Sequence, residues 1–206
     1  KHVFAQFEAG AFGPFGAVPA GMPGSQAFGP SGPALAAVGA ASLYLAYAGD
    51  DSQLYISSKD GPGSVWTPSS KAPTAPIVNT VPPSLFVDMD NDLHLFYVRQ
   101  SDGRICTITL ITPQNAWSAE EVVHQDAITG QSPSAVLLPG GDTVVAWHGF
   151  NNTGIYFSRR KAGVWSAPAT VEIPAMSSSA PVVVTGLGGA DAELDADGAV
   201  VERLDQ

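Results

Sequence analysis

Apolar residues in this chain gather in short runs that return at a nearly constant interval. Four segments align without gaps, and each begins with a proline. They are "PALAAVGAASLYLAY" from Pro33, "PSLFVDMDNDLHLFY" from Pro83, "PSAVLLPGGDTVVAW" from Pro133 and "PVVVTGLGGADAELD" from Pro181. The prolines lie 50, 50 and 48 residues apart, so the chain is predicted to repeat one structural unit.

Each unit predicts short strands separated by turns. The first strand follows the proline, the second ends on an aromatic residue in three of the units, and the third follows a polar turn. The predicted ranges are Leu35–Val38, Leu43–Tyr47 and Leu54–Ser57, then Leu85–Val87, Leu93–Tyr97 and Ile105–Ile108, then Ala135–Leu138, Thr143–Trp147 and Ile155–Ser158. A fourth strand is predicted to begin at Trp66, Trp117 and Trp165. The second strand is apolar at adjacent positions, which indicates that both sheet faces are covered.

Four antiparallel strands in each repeat are typical of a propeller blade. The predicted fold class is all-β, with residues 1–206 forming a single β-propeller domain of four blades. The repeats cover approximately residues 16–66, 67–117, 118–165 and 166–206, and residues 1–15 complete the last one. Pairing of N- and C-terminal strands would close the ring and remove exposed sheet edges. The alternative is an open half-ring that pairs with a second copy, so a homo-oligomer is possible.

Composition agrees with short strands and tight turns. The 206 residues are 45% apolar and include 22 Gly and 17 Pro, with only 14% charged residues. The formal net charge of −10 argues against nucleic acid as a partner, because duplex binding needs clustered Lys and Arg. No apolar run approaches the roughly eighteen residues of a membrane span, so no membrane insertion is expected. The single cysteine, Cys106, excludes an internal disulfide framework.

Two features bear on localisation. The chain opens on Lys1 and not on Met, which is compatible with a removed signal peptide. The tripeptide Asn151–Thr153 fits the acceptor sequence for N-glycosylation. We therefore expect a secreted protein or one displayed on the extracellular surface.

The stretch "SSKDGPGSVW", residues 57–66, is similar to the sialidase Asp-box, Ser-x-Asp-x-Gly-x-Thr-Trp. Ser58, Asp60, Gly63 and Trp66 match, with one extra residue and Ser in place of Thr, while the equivalent stretches of the next two repeats lack the aspartate. Together with the repeat pattern, this degenerate box resembles lectin-like and sialidase-like β-propellers. In that family the box is a structural hairpin between the third and fourth strands.

The resemblance implies different functions in its two branches. Sialidases use an arginine cluster and a Tyr–Glu pair on a six-bladed ring, whereas this chain is too short for six blades. The lectin branch needs only shallow pockets between blades, each with an aromatic ring and a few polar groups. We therefore predict a non-catalytic, carbohydrate-binding protein with several weak glycan sites whose multivalency raises avidity. The alternatives are a protein-binding scaffold, an accessory domain of a larger secreted protein or toxin, and a small glycoside-processing enzyme.

Candidate ligand-binding residues occupy two repeated places. The aromatic residues that end the second strand or begin the fourth are possible sugar-stacking platforms, with packing between blades as the alternative. The residues directly after the second strand differ most between repeats and are possible polar contacts, with solvated turns as the alternative. Arg99 is suited to bidentate binding of vicinal hydroxyls or a carboxylate. The predicted set is Tyr47, Tyr97, Trp147, Arg99, His148, Asp50, Trp66, Trp117 and Trp165.

Metal binding and catalysis are not predicted from the sequence. Asp88, Asp90 and Asp92 alternate as in a calcium loop, but Leu93 and Arg99 stand where such a loop needs Gly and Glu. The alignment places these aspartates in a hairpin tip. No metal, no cofactor and no catalytic residue is therefore assigned.

The carboxylates and the thiol suggest no catalytic set either. Glu120 and Glu121 are adjacent and would point to opposite faces of a strand. Cys106 stands where the other repeats carry Tyr55 and Tyr156, so we expect it to be buried and inert.

Overall fold

Antiparallel strands make up nearly all of the regular structure in the computed structural model. It describes residues 29–39, 42–61, 64–171 and 180–183, together with the backbone of short strands outside these ranges. Four of those strands lie near the N-terminus: β1 (Val3–Phe4), β2 (Phe7–Glu8), β3 (Ala11–Phe12) and β4 (Gly16–Ala17). Strand β1 pairs with β4 and β2 pairs with β3, both antiparallel.

Three antiparallel sheets correspond to the first three repeats. The first contains β5 (Ala34–Val38), β6 (Ser42–Ala48), β7 (Leu54–Asp60) and β8 (Ser70–Lys71). The second contains β9 (Ser84–Val87), β10 (Leu93–Val98), β11 (Ile105–Ile111), β12 (Ala116–Trp117) and β13 (Glu121–Val122). The third contains β14 (Ser134–Leu137), β15 (Thr143–His148), β16 (Ile155–Lys161), β17 (Val164–Trp165) and β18 (Ala169–Val171). A 3₁₀ turn spans Thr112–Gln114, and two further strands, β19 (Glu193–Leu194) and β20 (Val200–Val201), pair with each other.

The all-β prediction and the order of the strands are confirmed. In each sheet the first three strands pair antiparallel with their sequence neighbours, because each connection is a short turn. The fourth strand differs from the prediction in all three sheets. In the first it begins at Ser70 and not at Trp66, and in the other two it is interrupted after the tryptophan.

A hydroxyl group next to each tryptophan explains this interruption. The Ser or Thr that follows the tryptophan accepts the backbone N–H of a residue in the third strand. The three pairs are Ser58 N to Thr67 Oγ1 at 2.9 Å, Thr109 N to Ser118 Oγ at 2.9 Å and Arg159 N to Ser166 Oγ at 3.1 Å. The side chain thus takes the place of a carbonyl in the ladder, and regular pairing resumes only a few residues later.

The core lies between the sheets, as the apolar second strands predicted. Leu95, Tyr97 and Ile108 of the second sheet pack toward the first sheet. Phe96 and Ile105 of the same sheet face the third sheet. Adjacent residues of one strand point to opposite faces, so an apolar run in β10 supplies two cores at once.

Neighbouring sheets meet through their first strands, which carry inter-sheet hydrogen bonds. The Ala135 backbone N–H donates to Ser84 Oγ at 3.2 Å, and Val183 N–H donates to Ser134 Oγ at 3.0 Å. Val183 belongs to the fourth repeat, so that repeat begins against the third sheet. Among the described strands β1–β4 pair only with each other, as do β19 and β20. Closure into four blades remains a prediction, and so does the half-ring.

In the part of the chain that the structure describes, no helix is long and apolar enough to span a membrane.

Candidate functional site

The turn between the second and third strands differs in chemistry from sheet to sheet. In the register of each sheet, the aromatic residue near the end of the second strand faces one residue of the third strand. These cross-strand pairs are Tyr47 with Tyr55, Tyr97 with Cys106, and Trp147 with Tyr156. Two residues after the aromatic residue the three repeats carry Gly49, Arg99 and Gly149. The last residue and the third-strand residue together decide whether the space at the turn is filled or open.

Glycine and tyrosine occur together at these positions in the first and third sheets. A Cβ atom on Gly49 would lie 2.8 Å from Cε2 of Tyr55, and one on Gly149 would lie 2.6 Å from Cε2 of Tyr156. Both distances are too short for non-bonded carbon atoms, so the tyrosine ring requires glycine beside it. In the second sheet the smaller Cys106 replaces the tyrosine and leaves room for the side chain of Arg99.

In the second sheet, the space at this turn is filled by a network of ion pairs and hydrogen bonds. Arg99 donates from Nε and Nη2 to Asp102, at 3.0 and 2.6 Å, and from Nη1 to Glu120 at 2.9 Å. The Tyr97 hydroxyl donates to Glu120 at 2.6 Å, and the Ala75 backbone N–H donates to the same carboxylate at 3.2 Å. The guanidinium and the Glu120 carboxylate are therefore engaged within the protein.

The network favours the charged forms of its two carboxylates and the neutral forms of Tyr97 and Cys106. Hydrogen bonding to Arg99 lowers the pKa of Asp102 to about 2. Burial alone would raise the pKa of Glu120, but hydrogen bonds from Tyr97, Ala75 and Arg99 outweigh it and the pKa is lowered. Burial and the Glu120 charge raise the pKa of Tyr97, and burial together with that charge raises the pKa of Cys106 to about 12. The Cys106 thiol stays protonated at neutral pH, as expected for an inert cysteine.

The same place in the third sheet is an open pocket of about 320 Å³. Gly149 stands where the second sheet has Arg99. Pro168, three residues after Trp165, stands where the second sheet has Glu120, three residues after Trp117. The pocket is lined by Asp126, Ile128, Trp147, Gly149, Phe150, Asn152, Tyr156 and Pro168. It lies between the second and third sheets because Asp126 and Ile128 belong to the connection that joins them.

The pocket combines an exposed aromatic ring with groups that form hydrogen bonds. Phe150 is 55% exposed, whereas Trp147 is only 1% exposed and forms the floor. The Trp147 ring stacks on Tyr156 with centroids 6.2 Å apart. The Asp126 side chain is 70% exposed, and Asn152 is also exposed, with Oδ1 accepting from the Gly154 N–H at 2.9 Å and Nδ2 lying 3.5 Å from the Phe150 carbonyl. Among the described residues, the Tyr156 hydroxyl has no hydrogen-bond partner.

The first sheet closes its turn in a third way. The Tyr55 hydroxyl donates to Asp51 Oδ2 at 2.8 Å, and the Tyr55 ring stacks on Tyr47 at 5.5 Å. The Asp50 carbonyl accepts a hydrogen bond from Asn79 Nδ2 at 3.2 Å, while Asp50 itself is exposed. Tyr47 and Tyr55 are at most 8% exposed, so neither ring offers a face to a ligand.

Of the nine ligand-binding residues predicted from the sequence, the structure places one, Trp147, in the pocket. Arg99 is engaged by two carboxylates, and Asp50 is exposed on the closed turn of the first sheet, outside the pocket. The other six pack within the protein: Tyr47, Tyr97, His148 and Trp66 are buried, and Trp117 and Trp165 are half-buried against the core. Ligand binding by these residues stays a prediction.

Sequence reasoning missed most of the pocket. Phe150 had one signal, since it is an aromatic residue in an otherwise polar turn, "HGFNNTG". Tyr156 belongs to the strand pattern and gave no signal of its own. Asp126 comes from the connection between sheets, where no repeated motif draws attention to it.

The three alternating aspartates lie in the turn between β9 and β10, where the alignment placed them. Asp88 accepts backbone hydrogen bonds from Asp90 and Asp92, each at 2.9 Å, and contacts Nε2 of His94 at 2.8 Å. Its oxygens therefore hold the turn together. The described residues contain no group of three or more His, Cys, Asp or Glu side chains that would suit a metal ion.

Comparison with solved structures supports a propeller-like fold. A polysaccharide lyase, a PL25 ulvan lyase bound to -[GlcA(1-4)Rha3S]-, aligns with a TM-score of 0.50 and 15% identity over 70% of this chain and 40% of its own. A triple arginine-to-alanine variant of AofleA from Arthrobotrys oligospora gives 0.56 and 16% over 71% and 43%. An exo-1,5-α-L-arabinanase from a bovine ruminal metagenomic library gives 0.52 and 14% over 79% and 64%. This chain thus spans less than two thirds of each of these structures.

No family model and no curated protein matches the chain, so the Asp-box resemblance gains no support. The prediction that the chain is not an enzyme is wrong, because the similar structures include a polysaccharide lyase and an arabinanase. That prediction rested on the lack of a recognisable catalytic set in the sequence. In folds of this kind separate loops meet at one pocket, as Asp126 and Phe150 do here, and sequence spacing does not reveal such sets. At 14–17% identity the similarity shows the fold, which is shared with glycan-active proteins.

Proposed function

We propose that this chain interacts with a carbohydrate at the pocket between its second and third sheets. The observation that carries the proposal is the exposed Phe150 ring beside hydrogen-bonding side chains, at a place that the other two sheets close. Similarity of the fold to glycan-active proteins supports the same class of ligand.

The lining suits a sugar ring in two ways. Its apolar C–H face would pack on Phe150, since an aromatic side chain offers a large, rigid apolar surface. Its hydroxyls would donate to the Asp126 carboxylate and exchange hydrogen bonds with the Asn152 amide and the Tyr156 hydroxyl. The pocket volume lies near the lower end for small-molecule sites, which fits one or two sugar residues.

A single shallow pocket binds weakly, so biological binding would depend on several copies of the chain displayed together.

We propose that residues 1–206 form a four-bladed ring in which the N-terminal strands complete the fourth repeat. The hydrogen bond from Val183 to Ser134 supports a fourth repeat beside the third sheet. Location in the secretory pathway or on the cell surface is part of the proposal, because glycans are displayed there.

Glycan cleavage in the same pocket is a second candidate function. Asp126 lines the pocket, and its Oδ2 lies 3.5 Å from Nδ1 of His124, a residue just outside the lining. Such a pair can accept and return a proton during cleavage of a sugar linkage.

The test is a glycan array probed with the chain displayed on a multivalent carrier, with soluble products of each bound glycan analysed by chromatography. Phe150→Ala should lose at least tenfold in binding, while Met89→Ala, which removes an even more exposed apolar side chain at the β9–β10 turn, should bind as the unmodified chain does. No binding to any glycan, or equal binding by both variants, would contradict the proposal. Product formation that Asp126→Asn abolishes would establish cleavage.

A further inference from the structure

We infer that this pocket selects neutral sugars and discriminates against uronic acids and sulfated sugars. The inference rests on the proposed function and names its ligand class. It follows from the charges that line the pocket and from the engagement of the arginines nearby.

Among the described residues that line the pocket, Asp126 is the one with a charged side chain and none is Lys or Arg, while His124, whose Nδ1 lies 3.5 Å from Asp126 Oδ2, is outside the lining. Recognition of a sugar carboxylate or sulfate normally relies on a cation, most effectively a bidentate arginine. An acidic sugar would instead bring its negative charge close to Asp126. The two charges would lie within one Debye length at physiological salt, which is about 8 Å, and their repulsion would remain.

Arginines elsewhere do not supply the missing cation. Each arginine in the described ranges is ion-paired with a carboxylate. The pairs are Arg99 with Asp102 and Glu120, Arg104 with Asp102, Arg159 with Asp142, and Arg160 with Glu121. Arg99, which the sequence suggested as a carboxylate ligand, already uses Nε, Nη1 and Nη2 on its own two carboxylates.

The third sheet also has no space for a cationic side chain at position 149, the equivalent of Arg99. Even a methyl group on Gly149 would meet the Tyr156 ring. The third sheet also lacks a carboxylate that could hold an arginine there, since Pro168 stands where the second sheet has Glu120. The site therefore consists of an aromatic surface, one acidic acceptor and neutral polar groups, which matches a ligand rich in hydroxyl donors.

The experiment compares sugars that differ only at C6. Methyl galactoside is paired with methyl galacturonide, and methyl glucoside with methyl glucuronide, and each is titrated at pH 7 by NMR chemical shift. At least one neutral member should bind about tenfold more tightly than its acidic partner. For Asp126→Asn, the preference should fall to about twofold, and 1 M NaCl should reduce the preference of the unmodified chain.

The control is Asp90→Asn, which removes the same charge at an exposed position of the β9–β10 turn. It should keep the full preference, because the repulsion comes from the pocket and not from net charge. Equal or tighter binding of the uronide would overturn this inference and leave the proposed function standing. If no sugar binds, even on a multivalent carrier, the proposed function fails and this inference with it.

Discussion

The second and third sheets have the same first three strands and the same turn, yet one turn is filled and the other is open. Three substitutions separate them: Arg99 against Gly149, Cys106 against Tyr156, and Glu120 against Pro168. The first member of each pair builds the ion-pair network, and the second leaves the pocket. A shared scaffold thus supports either an internal ion-pair network or an open pocket.

These substitutions depend on one another. The tyrosine needs glycine at the turn, and the arginine needs the small cysteine. Arg99 in turn uses Glu120 as the acceptor for Nη1, because a donor on a side chain that is only 20% exposed would be costly to leave without a partner. The pocket therefore lies where the third sheet lacks the charged side chains that bond to one another in the second sheet.

Trp147→Ala should have the largest effect on the third site. The residue is 1% exposed and forms the pocket floor, so truncation should lower the free energy of unfolding by about 3–5 kcal/mol. Urea denaturation measures the loss. Val164→Ala, at a 71% exposed position of the same sheet, should cost little, and a loss as small for Trp147 would show that it is not a core residue.

Rebuilding the ion-pair network of the second sheet at the equivalent turn of the third sheet should abolish sugar binding. The triple variant Gly149→Arg, Tyr156→Cys and Pro168→Glu rebuilds the chemistry of the second sheet, and we expect at least a 30-fold loss of affinity in titration. The control Val164→Glu adds a carboxylate at a 71% exposed position of the same sheet, outside the pocket, and should bind within a few-fold of the unmodified chain. Retained binding by a folded triple variant would show that the ligand lies elsewhere.

The repeats and strands were predictable because they follow local patterns. Prolines, apolar runs and turn residues recur at fixed spacing. The ends of the second strands, β6, β10 and β15, were each predicted to within one residue. The interrupted fourth strand was not predicted. Its cause is the hydroxyl of Thr67, Ser118 or Ser166, which bonds to a strand residue 9, 9 or 7 residues earlier, and strand propensity does not register such a bond.

The site was much harder to predict, because residues that leave a pocket open do not form a recognisable sequence motif. Gly149 and Pro168 contribute by being small or apolar, and a sequence pattern does not distinguish that from an ordinary turn. Arg99 looked like a ligand, yet its partner Glu120 lies 21 residues away in sequence. Only the fold shows that this arginine is engaged and that Phe150 is not covered.

The adjacent residues Glu120 and Glu121 test whether the filled end stabilises the protein. Glu120 accepts bonds from Tyr97, Ala75 and Arg99, so Glu120→Gln should lower the free energy of unfolding by about 1–3 kcal/mol. Glu121 pairs with Arg160 and is 38% exposed, so Glu121→Gln should cost about 0–1 kcal/mol. Thermal and urea denaturation compare them, and equal losses would contradict the special role of the network.

The smallest effect concerns acid stability. The pKa of Asp102 is about 2 in the folded chain, below its ordinary value of 3.8. A carboxylate with a lowered folded pKa stabilises the protein above its unfolded pKa and loses that contribution as pH falls through the folded value. Asp102→Asn should therefore be less stable than the unmodified chain at pH 5 to 7, and the gap should close between about pH 4 and pH 2. Urea denaturation across this range measures the gap. A constant gap down to pH 2 would mean that the Arg99–Asp102 pair adds no pH-dependent stability, and it would contradict the lowered pKa of Asp102.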